Sequence, residues 1–599
     1  MALGLPLTSV WRRPPRYPSL MGTSQGVRLT ELRVLDGPNL YFTRPAIKMS
    51  LAVPGWLELD PARAASLAAG IGLPGTDPES SAASRVRPGP PKSQQRLRFI
   101  ARLAAHVTRS LASTAGTALA VRSRAGPGPD TVVVAFPWRR RTSAEALAKE
   151  VADLLGTILH TRKSFGRLLT ETIRRLDGVE PGPPPPVPDP DIPVIAVTGT
   201  NGKTTTVRAL AHVIRSGGFD VAYSSTDGVY FNGRLVEEGD YSGFGGAALA
   251  LSQPGVDVAV LETARGGILL RGIGTMHNTV GVVTNVSADH LGLHGIVSLD
   301  QLAEVKSTIT RITRSDGWDV LNADDPRVLA MRRGIRGRPW VFSLDPDHPA
   351  IRAVVSEGGR ATTVTDGQLT YFTGGMRSHT LLPLEDVPLT LAGISTHNTH
   401  NAMAVASAAL GIGLSDDAVV KGLRTFVHDP ETNPGRTNLF ELDGRIVVAD
   451  YAHNEAGMTG LIETCRGLRQ PGGEIWLAYA CAGDRTNEIL HGMGYIAARG
   501  ADHVAIAELL HYLRGRERND LVERLRAGAI DGGATDVPVF EDEMRALQWM
   551  LESSHPGDLL AVTALVQRPE LFALMNERGG VQIGPDRVRE LVRRARAGR

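Results

Sequence analysis

Short apolar runs recur along this chain, separated by polar turns and by stretches with helical spacing. The run Val194-Ile195-Ala196-Val197 predicts a buried strand, and the Ala/Leu/Val pattern at 207–214 predicts a helix. The alternation continues with strands predicted at 258–261, 280–284 and 317–322 and helical segments between them, one at 302–309. Such an order predicts a mostly parallel sheet covered on both faces. Residues 340–392 break it with β-branched positions and Gly turns, which predicts a small antiparallel insert. Helical spacing resumes at 401–410. A second alternating series, at 446–449, 475–479, 504–507 and 559–563, predicts a separate doubly wound α/β domain from about 437 to the end.

A unit of different pattern precedes these, at 27–180. Residues 27–35 alternate like a strand that Asp36-Gly37-Pro38-Asn39 ends. A strand at 131–136 lies between helical patterns at 95–111 and 144–159, and the polar, Pro/Gly-rich stretch 74–93 reads as a loop. Arg139-Arg140-Arg141 reads as a solvated corner. The run Pro181-Gly182-Pro183-Pro184-Pro185-Pro186-Val187-Pro188 favours an extended backbone and cannot continue a helix or a central strand. The expected organisation is a disordered tail at 1–26, an α+β N-terminal domain at 27–180, a linker at 181–192, a central α/β domain at 193–436 and a C-terminal α/β domain at 437–599.

Composition narrows the class. With 599 residues, 42% hydrophobic and 21% charged, the chain can bury several cores, and three or four domains are expected. The net charge of +2, from 65 basic and 63 acidic residues, gives no nucleic-acid footprint. The two cysteines, Cys465 and Cys481, exclude a disulfide scaffold and lack a metal-ligand partner at a familiar spacing, so both read as buried thiols. No apolar run approaches the ~18 residues of a membrane span. The first 26 residues are basic and Pro/Ser-containing without a long apolar segment, so a secretory signal is not expected; an organelle transit peptide is the alternative, and the cytoplasm is the simplest location. Only 7 of the 65 basic residues are lysines, which singles out a lysine at a special position.

Strand, glycine turn, Lys-Thr and helix together describe a phosphate-binding loop at Gly199-Thr200-Asn201-Gly202-Lys203-Thr204-Thr205. Its glycines let backbone N–H groups approach an anion, and the helix start adds roughly half a positive charge. Lys203 would reach the terminal phosphates and the Thr204 hydroxyl would hold Mg²⁺. Glu262 follows the strand at 258–261, at the carboxyl end where parallel sheets bind ligands, and suits a metal ion there; a solvated strand-end Glu is the plain alternative. Asn285-Val286-Ser287-Ala288-Asp289-His290 repeats that placement, with His290 a second candidate metal ligand beside the simpler options of a capping Asp and a buried His. Lys306, one of the rare lysines, stands sixteen residues further on. Position 197 is Val where the general phosphate-loop pattern has Gly.

In order and spacing, the Gly-Thr-Asn-Gly-Lys-Thr-Thr loop, Glu262, the Asn285–His290 turn and Lys306 resemble the Mur ligase family, ATP-dependent enzymes that join a carboxylate to an amine. The resemblance implies that Glu262 and His290 bind Mg²⁺ and that Lys306 stands where many members carry a carbamylated lysine supporting a second Mg²⁺; a plain salt-bridging Lys is the alternative. His397-Asn398-Thr399-His400-Asn401 matches the family's His-Asn-x-x-Asn, which implies that Asn398 and Asn401 lie near the nucleotide, although Asn401 also reads as the cap that opens a helix. Asn433-Pro434-Gly435-Arg436 resembles the hinge to the third domain, with Arg436 on the ATP phosphates. Asp450-Tyr451-Ala452-His453-Asn454 resembles Asp-Tyr-Ala-His-Asn-Pro, whose Asp contacts the ribose, with Glu455 here in place of Pro. Within the family, Glu262–Ile268 and Asn285–Gly292 are most similar to the Mur-type half of cyanophycin synthetases. Leu32-Arg33-Val34-Leu35-Asp36-Gly37-Pro38-Asn39-Leu40-Tyr41 is similar to the opening of those enzymes. They carry an ATP-grasp domain between the two parts, where this chain has only the linker, so one ligase site is expected rather than two.

The resemblance implies an amide-forming ligase that works through an acyl phosphate. It implies ATP and Mg²⁺ as cofactors, with an amino acid and a carboxylate acceptor, peptide or polymer, as partners. Lys203, Lys306 and His290 are the expected catalytic residues, and the chain could form a homo-oligomer. Three alternatives stand beside this: a folylpolyglutamate-like ligase, a P-loop ATPase or kinase, and a non-catalytic polymer-binding protein.

Overall fold

The computed structural model describes residues 26–76, 86–289 and 291–598. The chain divides into two compact units. One holds the chain up to Leu35 together with Arg44–Pro185, the other Asp36–Thr43 together with the chain from Pro186 onward.

In the first unit, four antiparallel strands lie in the order Arg28–Leu35, Ala46–Ala52, Thr131–Pro137, Arg122–Ala125. Strand periodicity aims Ile47, Met49, Leu51, Val132, Val134 and Phe136 into one core. The helices Gln94–Thr114 and Arg141–His160 bury their apolar stripes there, including Phe99, Ile100, Leu103, Val151 and Leu155. Trp56 is fully buried and donates its indole N–H to the Leu155 carbonyl at 3.0 Å. The equally buried Arg96 guanidinium is satisfied by the carbonyls of Trp56, Leu59, Pro88 and Gly89, so it needs no carboxylate partner. Arg139 and Arg140 are exposed, as a solvated corner would be.

The second unit carries two sheets. The first has eleven strands in the order Arg377–Pro383, Gln368–Thr373, Arg360–Thr365, Arg338–Phe342, Thr313–Asn322, Asn278–Val283, Val194–Thr198, Val258–Glu262, Val221–Ser225, Gly228–Phe231, Arg234–Glu238. The seven strands from Arg360–Thr365 to Val221–Ser225 run parallel, and an antiparallel hairpin extends each edge. The antiparallel insert expected at 340–392 is therefore not separate. The helix Pro349–Ser356 provides the crossover that a parallel pair needs, so Arg338–Phe342 and Arg360–Thr365 join the main sheet, and only the last two strands of this stretch are antiparallel. The second sheet has seven strands, Val539–Phe540, His503–Ala507, Ile475–Tyr479, Leu559–Thr563, Arg445–Asp450, Asn438–Leu442 and Val581–Gln582; the first five are parallel. Cys465 and Cys481 are buried thiols within its layers. Among the described residues, no helix is long and apolar enough to cross a membrane.

Residues 36–43 pack as part of the second unit. The Asp36 carboxylate accepts two bonds from the Arg271 guanidinium, at 2.8 and 3.0 Å. Pro38 accepts the Ile273 N–H at 2.7 Å, and Arg311 donates to the Leu40 carbonyl at 3.1 Å. Leu40, only 4% exposed, joins the core formed by Ile268, Ile273, Val305 and Ile309. These residues flank the helix that ends at Lys306, so the segment is part of the packing behind the site described next. Leu40→Ala is expected to cost about 2–4 kcal/mol of the second unit's stability, as for a buried Leu truncated in a close-packed core; urea unfolding measures it.

Candidate active site

The parallel strands Val194–Thr198 and Val258–Glu262 pair directly, Val197 opposite Glu262, and both end at the same edge of the sheet. The chain leaves the first strand through Gly199–Gly202 and enters the helix Lys203–Ser216. Two approaches demand glycine. A Cβ on Gly199 would stand 1.8 Å from Thr284 Oγ1, and one on Gly202 (φ +84°) 2.3 Å from Asn401 Oδ1. The Asn285 side chain braces the turn, accepting the Asn201 N–H at 2.9 Å and donating to the Asn201 carbonyl at 3.1 Å. Thr200 Oγ1 accepts the Ser287 N–H at 3.0 Å. No side chain caps the helix start, which leaves its first N–H groups to face an anion. Lys203 Nζ meanwhile donates to the Thr200 carbonyl at 2.8 Å.

Thr204 Oγ1 donates to Glu262 Oε2 at 2.9 Å. Glu262 is 2% exposed, and its other oxygen, Oε1, is buried with no hydrogen-bond partner. Burial pushes this carboxyl up from the usual range, against the pull of the Lys203 charge. An orphaned carboxylate oxygen beside a hydroxyl is a pair of hard donors, which fits a divalent cation. Among the described residues no three His, Cys, Asp or Glu side chains form a ready cage. A cation here would therefore complete its shell with water and phosphate oxygens, as Mg²⁺ does.

The helix expected at 302–309 breaks, ending as Leu299–Lys306 before the short turn Thr308–Arg311. Lys306 is thus a last-turn residue; it is 3% exposed and donates to the Gly199 carbonyl. Burial, reinforced by the Lys203 charge, holds its ammonium well below the ordinary lysine range. His290 lies outside the described residues.

Asn398 and Asn401 belong to the helix Thr396–Gly411, which Ser395 caps through the Asn398 N–H. Asn401 is therefore in the helix body and caps nothing. Its Nδ2 donates to Asn398 Oδ1 at 3.0 Å while its Oδ1 backs the phosphate loop. Arg436 stacks its guanidinium 4.1 Å above the Tyr451 ring, and its Nε has no hydrogen-bond partner. Beside it, Asp227 pairs with Arg208 at 3.0 Å and with Arg568 at 2.9 Å. Asp450 accepts from Thr437 Oγ1 at 2.8 Å, and burial raises its carboxyl.

Gly199–Thr205, Glu262, Lys306, Asn398, Arg436 and Asp450 line one cleft of about 470 Å³; Asn401 stands behind the loop. Further side chains stand at the cleft and behind it. Asp289 pairs with Arg485 at 3.0 Å and lies 3.6 Å from His453, while Asp484 accepts from Arg485 at 2.7 Å. Thr226 approaches Thr204 Oγ1 at 3.2 Å. The only sequence signal for Asp289 and Asn285 was their place in the turn before His290. Asp227 and Arg485 carried none, because their partners are remote in sequence.

Residues 197–409 match the Mur ligase middle domain and residues 435–565 the Mur ligase glutamate ligase domain. The chain belongs to the Mur ligase family. It is 37% identical over 375 residues to a cyanophycin synthetase of Crocosphaera subtropica, covering 62% of this chain and 42% of that one. It is 28% identical over 380 residues to the UDP-N-acetylmuramoyl-L-alanyl-D-glutamate–2,6-diaminopimelate ligase of Alkalilimnicola ehrlichii, covering 62% and 70%. A solved bifunctional folylpolyglutamate synthase/dihydrofolate synthase from Yersinia pestis aligns at 18% identity with a TM-score of 0.47, over 64% of this chain and 89% of that one. The chain spans about two fifths of the length of the cyanophycin synthetase it matches.

His397 lines the cleft from the first turn of its helix. Burial, then the His400 and Arg436 charges, lower it to about 4. Between pH 4 and 6.5 the unfolded chain therefore binds the extra proton, so this group's contribution is complete above pH 6.5 and is lost as pH falls toward 4. The wild type is expected to lose on the order of 2–3 kcal/mol more than His397→Gln between pH 7 and 4.5, by urea unfolding at the two pH values.

Proposed function

We propose that this chain is an ATP-dependent ligase that joins a carboxylate to an amine, the amine supplied by an amino acid and the carboxylate by a peptide or polymer. The observation that carries this is the half-satisfied Glu262 carboxylate, hydrogen-bonded to Thr204 at the head of the phosphate loop and sharing its cleft with Lys203, Arg436 and Lys306. The names of the relatives, a synthetase and a ligase, support the reaction class.

ATP would lie with its phosphates on the loop and the start of the Lys203–Ser216 helix. Lys203 would leave the Thr200 carbonyl for the terminal phosphates, and Arg436, already held flat by Tyr451, would reach the same group. Thr204 and Glu262 would hold Mg²⁺, which supplies charge neutralisation for the transferring phosphoryl group. The acceptor carboxylate oxygen attacks the γ-phosphorus and ADP leaves; the amine nitrogen then attacks the acyl carbon, phosphate leaves, and the nitrogen gives up a proton. Asp450 would face the ribose, and Asn398 would lie near the nucleotide.

Lys306 fits a carbamate. Its buried amine is driven toward the neutral form, and a neutral amine adds CO₂ with loss of one proton. The resulting anion would face Lys203, whose charge is close enough to depress Lys306. Acidification re-protonates the amine, so the carbamate should disappear as pH falls; a carbonyl signal from ¹³C-bicarbonate, absent in Lys306→Ala, reads this directly.

Purified protein with ATP, Mg²⁺ and a panel of amino acids and short acidic peptides should release ADP only when both an acceptor and an amine are present. Lys203→Ala should abolish the release, and Glu262→Gln should lower kcat by about 10²–10³-fold, the scale for removing one preorganised charge-stabilising group. Chelation with EDTA should stop turnover and Mg²⁺ should restore it. Release without any amine would instead identify an ATPase or kinase.

A further inference from the structure

One contact in the cleft has no part in the chemistry above. Asn454, completely buried, begins the helix Glu455–Leu468, and its Oδ1 accepts the Gly457 N–H at 2.9 Å. That cap fixes the orientation of the amide, because a backbone N–H requires the oxygen. Its Nδ2 consequently donates to Asn201 Oδ1 at 2.9 Å, and Asn201 Nδ2 donates back to Asn454 Oδ1 at 3.1 Å. The two residues are 253 apart in sequence: one is in the phosphate loop, the other in the glutamate ligase domain.

Each end of this pair is anchored. The Asn201 peptide is gripped on both sides by the Asn285 amide, so its side chain has little freedom to follow a moving partner. Asn454 starts the helix whose Gly457, Gly460, Leu461 and Thr464 form one wall of the cleft. Other bridges between these two domains include the ion pairs Asp227–Arg568 and Asp289–Arg485 and a hydrogen bond from Arg589 to the Glu385 carbonyl. A reciprocal amide pair forms in a single relative placement of the two domains, and here it joins the part that grips phosphate to the part that walls the cleft.

We infer that Asn454 is a positioning residue whose bond to Asn201 couples closure of the C-terminal domain to the phosphate-loop geometry, so that nucleotide site and cleft wall are completed together. Its kinetic consequence rests on the ligase reading; the Asn201–Asn454 contact between the two domains does not.

The test is Asn454→Asp in the full chain. Aspartate keeps the helix cap but replaces the donor that faces Asn201 Oδ1 with an acceptor. Because the site is buried, the new carboxylate is expected to lower the melting temperature, and the variant is measured well below it. Small-angle scattering with Mg²⁺ and AMPPNP should show a larger radius of gyration than wild type under the same conditions. kcat for ADP release should fall about tenfold with the KM for ATP changed less than threefold, as for an interaction realised only in the closed state. Asn201→Ala should give a similar loss, and the double variant no more than the larger single one. Unchanged scattering overturns the inference, whether or not kcat falls, because Asn454 would then act only locally. If no substrate pair supports turnover, the ligase reading is what has failed, and scattering still decides the coupling. Should Asn454→Asp fold poorly, Asn454→Ser, which also caps, replaces it in the same measurements.

Discussion

The hydrogen bond from Thr204 to Glu262 is the contact on which the site depends. It exists because two parallel strands end side by side, Val197 opposite Glu262, and because the helix begins one turn beyond the first of them. Leaving the second Glu262 oxygen buried and unpartnered costs free energy comparable to a lost charged hydrogen bond. Nothing in the packing of the sheet requires that expense. It is offset by the nearby Lys203 and Arg436 charges and would be removed by a cation.

Burial in the same cleft acts on further ionisable groups, His397 among them. Lys306 and Arg436 are both lowered by burial, and Asp450 is raised. All these shifts go against the charged form, because burial penalises each charge more than its neighbours stabilise it. Arg436 illustrates the point: it is held by stacking on Tyr451, with Asp227 tied instead to Arg208 and Arg568, so its donors are not consumed by a carboxylate. A group held by its flat face retains its hydrogen bonds for phosphate.

Much of this was legible in the sequence because it is local. The strand, the two tight glycines and the Lys-Thr helix start occur within a dozen residues, and Glu262 follows its strand directly. The rest depended on long-range geometry. Asn401 reads as a helix cap in the sequence, but Ser395 caps the helix six residues earlier, which turns Asn401 toward Gly202. The helix at 302–309 looked continuous, yet it ends at Lys306, whose side chain donates to a carbonyl of the loop. Residues 340–392 read as an insert because β-branched alternation does not reveal strand direction; the Pro349–Ser356 crossover settled it.

By itself, then, the sequence determined the elements and placed candidate chemistry on them: the phosphate loop, the strand-end carboxylate and the rare lysine. Periodicity and motif spacing are properties of neighbouring residues, and these features needed no more. Only the tertiary structure decided which groups meet. Residues 36–43 join the second unit because Leu40 fits its core and Asp36 meets Arg271, 235 positions away. Asn201 finds Asn454 across 253 positions. Burial, which sets the protonation preferences of Glu262 and Lys306, is a property of the assembled sheets and helices and of no single segment.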